Sequence, residues 1–214
     1  MLPSAGMAVK RKSSYHHGNL AAEIVRVATA QLELHGEQAL SLREVAREIG
    51  VDQSALYRHF KNKSALLQEL AARGFAQMAD DMHKQATRKT ITPVECWREL
   101  GRAYVKFAVR RPALFRLMYG PYGEGSGQPV HRTAGALGVT PSKLLSDALR
   151  VLDAEGQLTV SFEAVRLMSW TTTHGLAALL IDNVIQPQAI EFTLQTMIDT
   201  MIVAPSPRKA KRTR

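Results

Sequence analysis

Cysteine is almost missing from this chain. Cys96 is the only one in 214 residues, so no disulfide can close within it and a secreted disulfide framework is excluded. As a lone thiol Cys96 reads as a half-buried helix residue, with redox sensing as the alternative. Aromatic residues are also scarce, at 6%, while Ala, Leu, Met and Val are plentiful, and that balance favours helices over a β-sandwich. Long apolar runs are absent: the longest, Leu176 to Ile181, is far too short to cross a bilayer. Residues 1–14 are polar and basic, without the apolar stretch a secretory signal requires. A soluble, cytoplasmic protein with no membrane partner is expected. The clusters that carry chemistry are missing too. There is no nucleophile elbow and no glycine-rich phosphate loop, and a Ser-His-Asp set can be assembled only from scattered positions. His16 and His17 are adjacent and therefore diverge in space, with no Cys or carboxylate at ligand spacing. No catalysis, metal or cofactor is expected.

What the chain does have is a net charge of +9, unevenly spread. Residues 1–65 carry nine Lys/Arg against six Asp/Glu, residues 66–204 fourteen against thirteen, and the last ten residues five bases and no acid. Basic character thus sits at the two ends, around a nearly neutral body. The length suits one or two helical domains with a sizeable core.

The most informative stretch is Ser41 to Leu67, SLREVAREIGVDQSALYRHFKNKSALL. Ser41 and Glu44 have the spacing of a capping box, in which a hydroxyl and a carboxylate each satisfy an orphan amide. Leu42, Val45, Ala46 and Ile49 then share one helical face, and Gly50 supplies the left-handed residue that ends the helix. Val51 plugs the corner. Asp52 caps a second short helix whose Leu56 and Phe60 point inward at i,i+4 spacing. That geometry leaves Gln53, Ser54, Ala55, Tyr57, Arg58 and His59 facing outward, a mixture of groups suited to a major groove.

This segment, with LYRHFKNKSALL as its most specific run, resembles the DNA-binding domain of TetR-family transcriptional regulators. The likeness extends upstream through YHHGNLAAEIVRVATAQLELHG, a first helix from about Asn19 to His35 that Gly36 stops. Downstream, WTTTHGLA (Trp170, His174, Gly175) together with YVKFAVRRPALFRLMYGP resembles a subset of the family with a Trp-His-Gly signature in the C-terminal domain. The resemblance implies an all-α fold: an N-terminal three-helix helix-turn-helix domain and a C-terminal helical ligand-binding and dimerisation domain. The chain accordingly divides into a disordered basic arm (1–14), a helix-turn-helix domain (15–62), a helical body (63–203) and a basic disordered tail (204–214), with about nine helices.

A long fourth helix is expected from Asn62 to about Thr90, joining head to body as a lever. Further helices follow from Pro93, over PALFRLMYG, from Arg132 to Glu155 with a break near Gly138 and Pro141, from Ser161 to about Val184, and from Pro187 onward. Tyr119 to Val130, rich in Gly and Pro, reads as a loop or lid. Lys10, Arg11 and Lys12 of the arm can reach a minor groove or flanking phosphates, or lie in solvent.

For the DNA contacts, side-chain chemistry and the resemblance agree. Gln53 can read adenine with a bidentate amide and Arg43 can read guanine, while Ser54, Ala55 and Arg58 are edge contacts, Ala55 toward a thymine methyl. Tyr57, His59 and Lys63 resemble the family's phosphate-positioning residues. Solvated surface charge is the alternative account of Arg43 and Arg58. In the body, the resemblance implies an effector pocket, and the Met and aromatic residues there point to a small apolar effector; Phe107, Phe115, Met118, Tyr119, Tyr122, Met168 and Trp170 are candidates to line the cavity, with His174 as polar anchor. Taken singly, each is more simply explained as core. Trp170 to Ile181 and the last helix are apolar on more faces than one core needs, which points to a homodimer through the last two helices. The expected function is a repressor on a palindromic double-stranded DNA operator, released by a small molecule. Two readings of other classes stay open: an effector-free architectural DNA binder using the tail RKAKRTR, and a helical enzyme or carrier retaining an idle head.

Overall fold

Local signals that start and stop helices account for most of the architecture. The computed structural model describes residues 20–87, 91–123, 135–136 and 138–203. The arm with Lys10, Arg11 and Lys12, the His16–His17 pair, most of the expected loop, the start of the helix expected from Arg132 and the basic tail lie outside the described residues. Among the described residues the chain forms nine helices, and its only β pairing is one isolated antiparallel bridge between Leu158 and Ile202.

The head is α1 (Leu20–Ala39), α2 (Leu42–Ile49) and α3 (Gln53–Tyr57). In α1, Ile24, Val27, Ala28 and Leu32 are buried at helical spacing, and the helical geometry is interrupted at Gly36 (φ 78°, ψ 170°). At Ser41 the hydroxyl accepts from the Glu44 amide at 3.1 Å. The reciprocal half of the expected capping box is not made: Glu44 accepts from Arg47 instead, at 2.5 Å. Gly50 (φ 81°) ends α2 in the left-handed region, its amide donating to the Ala46 carbonyl. Asp52 then caps α3 by accepting from the Ser54 amide at 2.8 Å.

The lever is α4 (Lys63–Ala86), capped by Asn62, which accepts from the Ala65 amide. It is shorter than expected, ending in a Thr87 cap. The body adds α5 (Pro93–Arg110), α6 (Pro112–Tyr119), α7 (Pro141–Ala154), α8 (Phe162–Ile181) and α9 (Ala189–Met201). The reciprocal capping box expected at Ser41 occurs at the start of α5, between Thr92 and Glu95. The helix containing α7 begins at Pro141, because Gly138 turns the chain at φ 71° and Pro141 occupies the first helical turn, where its missing amide costs no bond. Asn183 (φ 57°) similarly closes α8 earlier than Val184.

One continuous core runs from Ile24 and Leu32 of α1, through Leu66, Leu70, Phe75 and Met78 of α4, to Phe107, Phe115 and Ala177 in the body. A second cluster, around Trp97, Leu152, Val165, Leu194 and Ile198, joins α5, α7, α8 and α9. The head is also tied to the body by a polar clasp. Pro112 and Arg111 leave the N-terminus of α6 without a side-chain cap of its own. Glu33 of α1 supplies it, its carboxylate accepting from the Ala113 and Leu114 amides at 3.2 Å each.

Candidate nucleic-acid interface and the cavity in the helical body

The turn between α2 and α3 puts a short helix on the surface with its inner face anchored. Leu56 is wholly buried, and its carbonyl accepts from both the His59 and Phe60 amides, which swings Phe60 back against the core. Tyr57, Arg58 and His59 are left exposed, as are Ser54 and, on α2, Arg43. Gln53 is half-buried; its amide donates to the Tyr57 hydroxyl at 3.3 Å, leaving its oxygen and a second N–H for a base edge. Ala55 departs from expectation. It is 8% exposed, because α3 is a single short turn whose inner face takes Ala55 together with Leu56.

The Ser54 hydroxyl and amide bond Asp52 and hold its carboxyl below the ordinary range. The cap thus stays charged at neutral pH and fixes the start of α3. Lys63 stands at the first position of α4, its ammonium donating to the Gln38 carbonyl at 3.1 Å. Two further donors remain on that ammonium for a phosphate. Lys61, which sequence reasoning passed over, is exposed beside it. Its signal was present as a second basic residue in the turn before α4. Arg26 and Arg47, by contrast, are paired with Glu23 and Glu44.

The body holds a partly open cavity of about 640 Å³ walled by five helices. α4 contributes Phe75 and Met82; α5 contributes Trp97, Leu100 and Tyr104; Tyr119 closes it from the end of α6. Leu145 of α7 and Arg166, Ser169, Trp170, Thr173 and His174 of α8 complete the wall. Of the expected lining residues, Tyr119, Trp170 and His174 face this space. Phe107 and Met118 are fully buried in the core, Tyr122 is half-buried against it, and Met168 is exposed. Phe115 borders a smaller cavity of about 230 Å³ on the other side of Tyr119 and His174. The missed residues, with the expected Trp170 and His174, follow a legible stripe, 97-100-101-104 on α5 and 166-169-170-173-174 on α8, each at i, i+3, i+4 spacing.

His174 sits among aromatic rings. Its centroid lies 4.5 Å from Tyr119, edge-on, 5.3 Å from Phe115 and 5.8 Å from Trp170. The Tyr104 hydroxyl lies 2.9 Å from His174 Nδ1 and 2.9 Å from the Tyr119 hydroxyl. Burial pushes the imidazole below its usual pKa, so it is neutral at pH 7. Burial also pushes the Cys96 thiol up, against the thiolate that redox sensing requires. Among the described residues no group of three His, Cys, Asp or Glu is placed to hold a metal, and no helix is long and apolar enough to cross a membrane.

Comparison with known proteins places this geometry. The model of bacterial regulatory proteins of the tetR family matches residues 24–70, and that of a tetracyclin repressor-like C-terminal domain matches residues 97–201. The HTH-type transcriptional regulator Rv1816 of Mycobacterium tuberculosis is 34% identical over 118 residues, 53% of this chain and 49% of that protein. The matched segment therefore spans about half the length of that curated relative. The tetracycline repressor protein class C of Escherichia coli is 48% identical over 48 residues, 22% of each chain. Among solved structures, a protein of unknown function from Rhodococcus sp. RHA1 superposes with a TM-score of 0.75 at 28% identity, covering 88% of this chain and 96% of that one.

Proposed function

Because the chain belongs to the TetR family of bacterial regulatory proteins, and is thus a DNA-binding regulator, we propose that it is a homodimeric repressor released from a palindromic operator by a small molecule. One observation carries this reading. The helix that begins beside the recognition helix, α4, also supplies Phe75 and Met82 to the cavity wall. Lys63 and Phe75 are about 18 Å apart along a single helix. A molecule that fits the cavity better in one tilt of α4 than another moves the head, and only that difference in affinity can shift the equilibrium.

In this reading Gln53 and Arg43 read base edges, with Ser54 and Arg58 beside them. Tyr57, His59 and Lys63 position the phosphates, and Ala55, buried in the free protein, has the smallest part. Trp170 and His174 stand in the cavity wall with Tyr119. The dimer forms through α8 and α9, whose Leu167, Leu179 and Phe192 are 53%, 43% and 74% exposed in the single chain. Two α3 helices then enter successive major grooves about one turn apart.

Selection of bound fragments from random DNA at near-physiological salt tests the proposal. An enriched palindrome with half-sites about one turn apart is expected. Binding without enrichment, fading evenly as salt rises, sinks it in favour of an architectural role.

A further inference from the structure

The chemistry of the cavity wall narrows what it can hold. Among the described lining residues Arg166 is the only charged one, and no carboxylate is present. The Arg166 guanidinium is already paired with Glu163: Nε donates to the carboxylate at 2.9 Å, and a second nitrogen lies at the same distance. An anion entering the cavity must therefore share Arg166 with Glu163. Among the described lining residues an ammonium ion meets no carboxylate, and it meets the Arg166 guanidinium. Aromatic faces alone offset only part of the cost of stripping water from it.

The buried hydroxyls add a second constraint. Ser169 Oγ donates to the Val165 carbonyl at 2.6 Å, and Thr173 Oγ1 to the Ser169 carbonyl at 2.8 Å. Their hydrogens are committed within α8, so toward the cavity they offer lone pairs and accept. The rest of the wall is mainly apolar, Phe75, Met82, Trp97, Leu100 and Leu145 above all; its other polar groups are Ser142 and the mutually bonded set of Tyr104, Tyr119 and His174.

We propose that the cavity takes an uncharged, largely apolar molecule carrying a hydroxyl-type donor, which bonds Thr173 or Ser169, and that it rejects the carboxylate and ammonium forms of the same skeleton. This rests on the cavity being the effector site. It adds the ligand's charge and its one polar handle. The neutral His174, engaged through Nδ1 with the Tyr104 hydroxyl, is consistent with an uncharged guest.

The molecule carries its own reporter, since Trp97 and Trp170, both of which line the cavity, are its only two tryptophans. The test titrates the full chain at pH 7.5 with four probes on one skeleton: 4-hexylbenzyl alcohol, 4-hexylbenzoate, 4-hexylbenzylammonium and 4-hexyltoluene. Tryptophan fluorescence is followed, with calorimetry as a check. The alcohol is expected to bind at least about tenfold more tightly than either ion, and about fivefold more tightly than the toluene for one added hydrogen bond. Thr173→Val with Ser169→Ala should erase the advantage over the toluene. Glu163→Gln, at an exposed position, should raise benzoate affinity several-fold by freeing Arg166.

Equal or tighter binding of benzoate or ammonium by the unaltered chain overturns the proposal. So does the absence of saturable binding by the alcohol, or an advantage over the toluene that survives the double variant. A benzoate affinity that does not respond to Glu163→Gln removes the charge argument and with it the exclusion of anions. Release of selected operator DNA is measured in parallel. Alcohol binding without release leaves this inference standing and removes the effector role, whereas effector-sensitive DNA binding with no preference for the alcohol does the reverse.

Discussion

Gln53 and Lys63 stand within ten residues of each other, yet their chemistry assigns them different work. A carboxamide with an oxygen and an N–H still available suits a base edge, while an ammonium at the start of α4 suits a phosphate. Gln53→Ala is therefore expected to cost about 1–3 kcal/mol on the preferred site and to flatten base preference at one position. Tyr57→Ala should weaken all sequences alike; a binding series across single-base operator variants separates the two patterns. His174 gives a second residue-scale expectation. Its folded value lies below that of the unfolded chain, so as pH falls through about 6.5 the unfolded state takes up the proton first. Its contribution is whole above that pH and declines below it. The thermal midpoint should then drop less steeply between pH 7.5 and 5.5 in His174→Phe than in the parent; equal slopes would refute it. At this scale the outward face of α3 was legible in sequence, because Asp52, Leu56 and Phe60 fix its orientation locally. Ala55 was not, since its burial follows from how short α3 is. In the body the same limit recurs. Tyr119, Trp170 and His174 face the cavity as expected, but Tyr104 does so where Phe107 was expected, and Met118 and Met168, neighbours of lining residues, do not. Spacing identifies an apolar face, but only the packing of five helices decides which part of that face meets a void.

Helices started and stopped largely where their caps said. Other ends moved: α1 runs past the kink at Gly36 to Ala39, α9 starts at Ala189 and not at Pro187, and those at Thr87, Pro141 and Ile181 were set by a cap, a proline or a left-handed residue competing with a longer apolar pattern. What no local pattern encodes is how the elements grip one another. A Cβ on Gly74 of α4 would lie 2.7 Å from Met118 Sδ and 3.2 Å from Leu114 Cδ1, both on α6. Gly74→Val is thus expected to destabilise by about 1–3 kcal/mol through overpacking and to alter effector response at sites it never touches. Chemical denaturation and a DNA-release titration check the two parts. Glu33 makes the complementary case. Glu33→Ala leaves the Ala113 and Leu114 amides without their acceptor, at a cost of about 1 kcal/mol, and amide exchange at those two positions should accelerate ahead of the rest of α6. Unchanged exchange there would show that solvent already satisfies them.

For the molecule as a whole, affinity for DNA should be governed by counterion release. If a dimer binds, each substitution acts twice. Lys63→Ala should therefore lower the slope of log affinity against log salt by about 2, where a monomer would lose about 1. Affinity measured at four or more salt concentrations distinguishes them and tests the assembly and the phosphate contact together. A core that continues from Ile24 to Ala177 without interruption gives the head no seam at which to move independently. Any tilt of the head is therefore a repacking of shared side chains. The clasp from Glu33 to the start of α6 carries one more consequence, for transplantation. A head grafted onto a foreign body, or a foreign head onto this one, arrives with half of a bond. Working chimaeras should be those that carry an acid at position 33 together with an uncapped α6, so the breeding unit for new specificities is the pair and not the domain.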